Sequence, residues 1–530
     1  MIQYRDISAS EGMSSLRQEY LFTKRNSRFR RRRNGLPSMG GPADYHLRLE
    51  SDWLYGMEYV RAMDRDDIAI GCLIDTAVIN TISPEGFTVD PNTGDESLDQ
   101  DLIDRWTEET SDADAFDVAG EMTFQDAEYH VFRSMLVDGD ILGLLLGSGQ
   151  VQLVEAHRCR TPNQNQKNTA LGVTLSSVRK PEAYWITRDE IEPTRSLSSS
   201  TKLDSIPARD ENGHRQVVHV YNKHRFTLTR GVTALHRVID TAGMFEDLNF
   251  AKLVQAQVVS AYGIIRTKTA DFSDGDKAPL GEETVETRGD GSQRRVAAIE
   301  PGMEYEARMG EEIKAFSPSV PNPEYFPHAK LLMTLMGVNL GVPLVMYLMD
   351  ASETNFSGYR GAVNQARQGF KRNQQAMIRR FHRPIYEWKI RRWMDDDMAL
   401  RRAAARSDIK IFRHIWNIPG WPYIQPVEDN QADLLQLRNG LSSPRRIQAN
   451  RGREHMQVVR ETIQDNSRAI LAAKEAAKTV NAGLDDEDKV HWRELLFMPT
   501  PDGVTITLPT TSTANDVAGS AGGNNARGKE

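Results

Sequence analysis

The chain has 530 residues, 39% of them hydrophobic and 26% charged, with a formal net charge of −8. That length exceeds one simple core, so roughly two to four structural regions are expected. The small negative charge excludes a protein that wraps nucleic acid over its whole surface and leaves that role to local basic patches.

Two cysteines, Cys72 and Cys159, cannot build a disulfide framework, and no CxxC or Cys/His cluster suggests zinc or another metal. A reducing interior is the expected compartment. The N-terminus, MIQYRDISAS, lacks the apolar core of a secretory signal. Residues 1–40 read as a basic flexible arm, with KRNSRFRRRR from Lys24 to Arg33 and no apolar periodicity. Such a run is a solvated tail or a contact to nucleic acid or acidic protein.

From 45 to 80, Leu47, Leu54, Met57, Tyr59, Val60, Ile68, Ile70, Leu73, Ile74, Ala77 and Val78 keep a helical spacing. TISPEGFTVDPNTGDES breaks it. Helices are expected around Leu102 and Trp106 and again over 124–136, the latter ending at Asp138-Gly139-Asp140. Residues 141–220 read as β structure, with a hairpin at Gly147-Ser148-Gly149 and further strands in EAYWITRDE and RQVVHVYNKHRF.

A long helix is expected over 230–266, followed by a charged, Gly-rich insert. The insert has short strands expected at 295–299 and 303–308 beside the turn Gly289-Asp290-Gly291. A helix then returns over 324–340. The order is helix out, small β-containing module, helix back. The uncharged stretch 331–349 approaches the length of a membrane span, but Thr334, Asn339, two glycines and Pro343 make it a buried helix that stops near Gly341. Beyond it come a helix over 358–398, a Pro/Trp-rich connector, a helical region over 430–480 and a small polar tail.

Acidic runs at 64–67, 395–397 and 485–488 raise a metal-dependent nuclease as a reading. Contiguous carboxylates diverge around a helix, however, so caps and solvated faces explain them better. No GxxxxGK[ST], GxSxG, HxxxH or HxH is present, so no catalytic residues and no cofactor are assigned.

The segment DASETNFSGYRGAVNQARQGFKRNQQ, starting at Asp350, passes from a polar run into a two-sided helix. Val363, Ala366, Phe370, Met377 and Phe381 form an apolar stripe; Arg360, Asn364, Arg367, Lys371 and Gln374 form a polar one. Asn355 or Ser357 caps its start. The polar face is a solvated surface or a nucleic-acid contact.

Several stretches together resemble a known family. They are ESDWLYGMEYVRAMDRDDIAIGCLIDTAVINTISPEGFTV; the helix, Asp-Gly-Asp turn and β segment running into VQLVEAHRCRTP; HVYNKHRFTLTRGVTALHRVID; LMGVNLGVPLVMYLMDASETNFSGYRG continuing to RPIYEWKI; and WPYIQPVEDNQADLLQLRNGLSSPRRIQANRG. The pattern resembles tailed-bacteriophage portal proteins of the lambda type. One departure is HRFTLTRG, where that family usually carries Pro-Gly-Gln before Arg-Gly.

The resemblance implies an α+β subunit of wing, helical stem, small β-containing clip and helical crown. About a dozen copies would form a ring. It implies a wing over 41–229 with a connector over 398–425, stem helices over 230–266 and 322–342, and a clip over 267–321. A tunnel loop would cover 343–357, a long helix 358–397, a crown 426–480, and a largely disordered tail 481–530. No enzyme activity is implied.

The implied role is a channel at the portal vertex of the virion, assembled in the host cytoplasm without a membrane. Double-stranded DNA would pass through it non-specifically. Implied partners are the large terminase subunit, the major capsid and scaffold proteins, and the head–tail connector or adaptor. Asn355, Ser357, Arg360, Arg367 and Lys371 would face DNA or a neighbouring subunit. Lys277, Glu282, Arg288, Arg294 and Arg295 would present the clip to terminase and connector. The alternative is a metal-dependent nucleic-acid-processing enzyme of a phage or mobile element.

Overall fold

The computed structural model describes residues 50–162, 168–198, 200–261, 324–352, 354–453 and 455–482. It also describes short strands within 265–306, and residues 485, 489–493 and 495. The chain divides into two compact units, the second beginning at Glu454, inside the segment expected to be one crown.

The helical run expected over 45–80 is two helices, α1 (Glu50–Asp66) and α2 (Ile68–Ile82). Asp67 separates them: its carboxylate accepts from Ala69 N at 2.8 Å, satisfying an amide that a helix start leaves open. β1 (Thr88–Pro91) lies in the stretch read as a break. α3 (Glu96–Ser111) and α4 (Ala113–Phe116) are capped by Asp95 and Asp112. α5 (Phe124–Val137) starts on a capping box of Thr123 and Asp126 and ends at the Asp-Gly-Asp turn.

β2 (Asp140–Leu145) and β3 (Val151–Glu155) make the expected hairpin, Leu145 opposite Val151. β4 (Thr169–Ala170), β5 (Val173–Leu175), β6 (Pro181–Thr187) and β7 (Leu203–Pro207) form one antiparallel sheet in that order. β8 (Val217–Tyr221) returns to pair with β2, giving a three-stranded sheet ordered β3-β2-β8. A compact core lies between these sheets, built on Leu142, Val154, Cys159, Val173, Tyr184 and Val217.

The helix expected from 230 begins later, as α6 (Ile239–Ala261). The reason is that the preceding backbone is committed elsewhere: Ala234 N donates to Leu136 O at 2.9 Å, across to the end of α5. An amide used that way cannot close a helical turn.

Beyond α6, β9 (Ile265–Arg266) pairs in parallel with β12 (Tyr305–Glu306). Between them β10 (Glu283–Thr287) and β11 (Gln293–Ala297) form a hairpin across the Gly-Asp-Gly segment. The strand expected at 295–299 thus falls two residues early at the same length, the one expected at 303–308 is cut to its central pair, and β10 has no counterpart among the expected strands. α7 (Tyr325–Leu340) returns alongside α6, its Tyr325 hydroxyl donating to Asn249 Oδ1 at 2.6 Å. Gly341, at φ 77°, ends it. Among the described residues no helix is long and apolar enough to cross a membrane.

The segment expected as a tunnel loop contains α8 (Leu344–Tyr347). α9 (Phe356–Met377) passes through a wide turn at Ile378–His382 into α10 (Arg383–Asp396). Pro384 has no N–H to donate, and the helix widens just before it. The turn aims His382 at the buried Glu128, Nε2 to Oε1 at 2.6 Å. α11 (Met398–Ala404) follows, and β13 (His414–Asn417) pairs antiparallel with β1, Trp416 opposite Val89. α12 (Pro426–Arg438) and α13 (Pro444–Asn450) close the first unit; α14 (His455–Val480) is the main element of the second.

The principal core of the first unit gathers α2, α5, α9 and α10 around edge-to-face aromatics. Trp106 meets Phe124, Tyr386 and Trp416 with centroids 4.9, 5.3 and 5.7 Å apart.

Candidate functional site

At the start of α9, Asn355 is the cap, its side-chain oxygen accepting from Gly358 N at 2.7 Å. Ser357 lies one residue inside the helix and is exposed. All five residues of the apolar stripe are buried, as the spacing predicts. The polar stripe is interrupted: Gln374 is fully buried, its amide donating to Thr81 O at 2.8 Å and to Pro419 O at 3.4 Å. Periodicity assigned Gln374 to the wet face, but α2 and the connector close over it.

The three cations of that stripe are engaged within the chain. Arg360 donates to Gln425 Oε1 at 2.5 Å and to Asp429 Oδ1 at 3.0 Å. Arg367 donates to Pro422 O at 3.2 Å and stands 5.4 Å over the Trp421 ring, which Lys371 approaches at 5.8 Å. Together they clasp residues 421–429 onto α9. Rim contacts of this kind each contribute about 0.2–1 kcal/mol.

Of the insert residues, Lys277, Glu282 and Arg288 lie outside the described residues. Arg294 and Arg295 sit on β11, opposite Glu286 and Val285.

The acidic runs at 64–67 and 395–397 serve as caps and ion pairs, while residues 486–488 of the third run lie outside the described residues. Asp64 binds Arg133 at 2.7 Å, Asp67 caps α2, Asp395 binds Arg401 and Asp397 caps α11. No group of three or more potential metal ligands converges among the described residues.

Sequence reasoning missed a buried ionic knot joining the Asp-Gly-Asp turn to the Arg-Gly pair. Arg230 and Asp140 are both fully buried. Arg230 Nε and Nη2 donate to the two Asp140 oxygens at 2.6 and 3.0 Å. Its remaining donors reach the carbonyls of Ala156, Cys159 and Leu171 at 2.7–3.0 Å. All five guanidinium N–H groups are therefore used.

Asp140 Oδ2 also meets His219 Nε2 and Gly231 N, each at 2.9 Å. Burial alone would raise the Asp140 carboxyl. The Arg230 charge and the hydrogen bonds from His219 and Arg230 outweigh it and hold the group below the usual carboxylate range. Burial conversely keeps the His219 imidazole below its ordinary value despite Asp140. Trp53 closes the knot, its indole N–H donating to Gly231 O at 3.0 Å and its ring lying 4.7 Å from Arg230.

Gly231 packs backbone to backbone on Gly139, at φ 99°, and a Cβ on either would overlap the other segment. The signal available in the sequence was the pair of glycine-bearing motifs, DGD and RG; their contact across 91 residues was not.

α6 and α7 leave large apolar side chains outside. Phe250 and Leu253 are 67% and 63% exposed on α6, and Leu331, Leu335 and Val338 are 54%, 53% and 66% exposed on α7. The α7 residues recur every three or four positions and so share one face.

The sequence profile of the family described as "Phage portal protein, lambda family" matches residues 48–374. The chain belongs to that family. Portal proteins are structural components, and the matched region of this one holds both halves of the Asp140–Arg230 knot and nearly all of α9.

A "Probable portal protein" of Halomonas phage phiHAP-1 is 21% identical over 404 residues, covering 73% of this portal chain and 75% of that protein. Solved chains similar to it include one from the neck of an empty gene transfer agent particle, with TM-score 0.38, 12% identity, and coverage of 74% and 93% of the two chains. Another is from the native gene transfer agent virion, with TM-score 0.35, 10% identity, and coverage of 75% and 93%.

Proposed function

We propose that this portal protein assembles into a closed ring of about a dozen copies and forms a channel for double-stranded DNA during packaging and ejection. In this reading the ring sits at the portal vertex of the virion. It is assembled in the host cytoplasm, nucleates the procapsid with the major capsid and scaffold proteins, and docks the large terminase subunit and later the head–tail connector.

The observation that carries the reading is the apolar outer face of the α6–α7 pair. A lone chain leaves Phe250, Leu253, Leu331, Leu335 and Val338 in water. Exposed patches of this kind mark surfaces that another protein covers. A copy of the same chain is the partner that family membership favours.

The wing comprises 41–229 and 398–425, the stem 230–266 and 322–342, the clip 267–321 with its candidates Arg294 and Arg295, and the crown 426–480. The polar run before α9 lies at the channel, where contacts to sliding DNA are weak and sequence-independent. Since Asn355 caps α9, and Arg360, Arg367 and Lys371 hold residues 421–429, Ser357 is the member of the set left to face the lumen.

Negative-stain images of the purified full chain test the proposal. Rings with a central hole of about twelvefold symmetry are expected. A strictly monomeric chain at micromolar concentration overturns it.

A further inference from the structure

A second set of cations lies apart from the α9 clasp. β8 packs on the wide turn between α9 and α10, and Arg380 stands 5.0 Å over the Tyr221 ring. The exposed loop Lys223-His224-Arg225 that follows β8 is thereby set beside the end of α9, with exposed Arg372 and Arg379. Arg237, also exposed, joins from the segment before α6.

Arg237, Arg372 and Arg379 make no ion pair among the described residues. Burial first, and then the charges of Arg237 and Arg372, push the His224 imidazole below its usual value, and no carboxylate opposes them. The end of α9 and the segment before α6 therefore contribute like charges to one patch beside the loop after β8. Phe226, 97% exposed, stands at its edge.

The same unit carries the opposite surface. Along α3, Asp101, Asp104, Glu108 and the following cap Asp112 recur every three or four residues, which places them on one stripe. Asp104, Glu108, Asp112, Asp114 and Glu121 are exposed, and Arg105 is the sole cation from Glu96 to Glu121. Arg105 is already committed to Asp101 and Asp397.

A head-to-tail ring brings two different patches of one chain together at each interface. Complementary potentials at such an interface set partner choice and register. Arg372 lies sixteen residues into α9, about 24 Å along the helix from its start. The patch is thus well separated from the polar run assigned to the channel.

We infer that the patch of Arg237, Arg372 and Arg379 docks the acidic α3–α4 stripe of the next copy, setting the register of neighbouring subunits. The inference rests on the ring reading above. It also absorbs cations that would otherwise suggest a second DNA surface.

Charge reversal tests it on the full chain, with ring formation read by native mass spectrometry over a concentration series. Arg237→Glu/Arg372→Glu raises the concentration for half-assembly by about a hundredfold, as does Asp104→Lys/Glu108→Lys. The fourfold variant carrying all these changes recovers assembly to within about tenfold of the original chain.

Rings that form normally in both double variants overturn the inference while leaving the ring reading intact. Loss in both double variants without recovery in the fourfold variant also overturns it, provided circular dichroism shows each folded. If the arginine variant assembles normally but loses binding to a short DNA duplex, the patch serves nucleic acid and the inference fails. An original chain that never forms rings defeats the ring reading itself.

Discussion

Arg230 and Arg360 sit in the same compact unit and are held in opposite ways. Arg230 is sealed from water and spends all its donors on Asp140 and three carbonyls from one β region. Arg360 reaches out from a half-wet helix face to Gln425 and Asp429. A buried charge is tolerated only when fully paired, so it fixes geometry rigidly and fails badly when one partner is removed. An exposed charge orients a segment at little cost and can let it go. The knot therefore sets where the α6 leg leaves the β region, and the clasp trims the position of residues 421–429.

Three substitutions sharpen this contrast. Arg230→Met strands the Asp140 carboxylate in the interior and should lower the unfolding free energy of the first unit by about 3–5 kcal/mol. Urea titration followed by circular dichroism reads the loss, and a change within experimental scatter would mean that the knot is not a determinant of stability.

The second concerns pH. Asp140 titrates below its unfolded value, so its contribution is present above about pH 4 and is lost as pH falls. His219 is also depressed, so the unfolded chain binds more protons and stability declines as pH drops below about 6.5. His219→Gln should flatten that decline between about pH 6.5 and 5 by up to roughly 1 kcal/mol per pH unit. Melting temperatures across that window measure it, and an unchanged slope would remove His219 from the account.

The smallest effect belongs to Arg360→Ala, which should cost about 0.2–1 kcal/mol globally. Amide exchange should nevertheless accelerate across 421–429, while protection of α9 is retained. Equal loosening of both segments would mean that the clasp holds the helix instead of the connector.

Local signals were the legible ones. The helix over 124–136, the Gly147–Gly149 hairpin, the stop at Gly341 and the buried stripe of α9 follow from residues within a turn or two of each other. What failed was non-local. β1 and β13 lie over three hundred residues apart, and each is too short to show a period of its own. Residues 230–238 carry a helical pattern, yet the Ala234 amide is taken by Leu136 of α5 and the Gly231 amide by Asp140. Gln374 looked wet because the segment that covers it arrives 45 residues later. The cations of α9 were recognised as one face, but their partners at 421–429 lay beyond any helical spacing.

The central claim is that copies of this chain cover the apolar flank of α6 and α7 by closing into a ring. Native mass spectrometry of the full chain, beside Leu331→Glu/Leu335→Glu, tests it most directly. The original chain should run as a single species of about twelve subunits. The variant should run as a monomer that circular dichroism shows to be folded, since both side chains face water in the lone chain. A monomeric original chain, or a variant that still closes rings, would contradict the account.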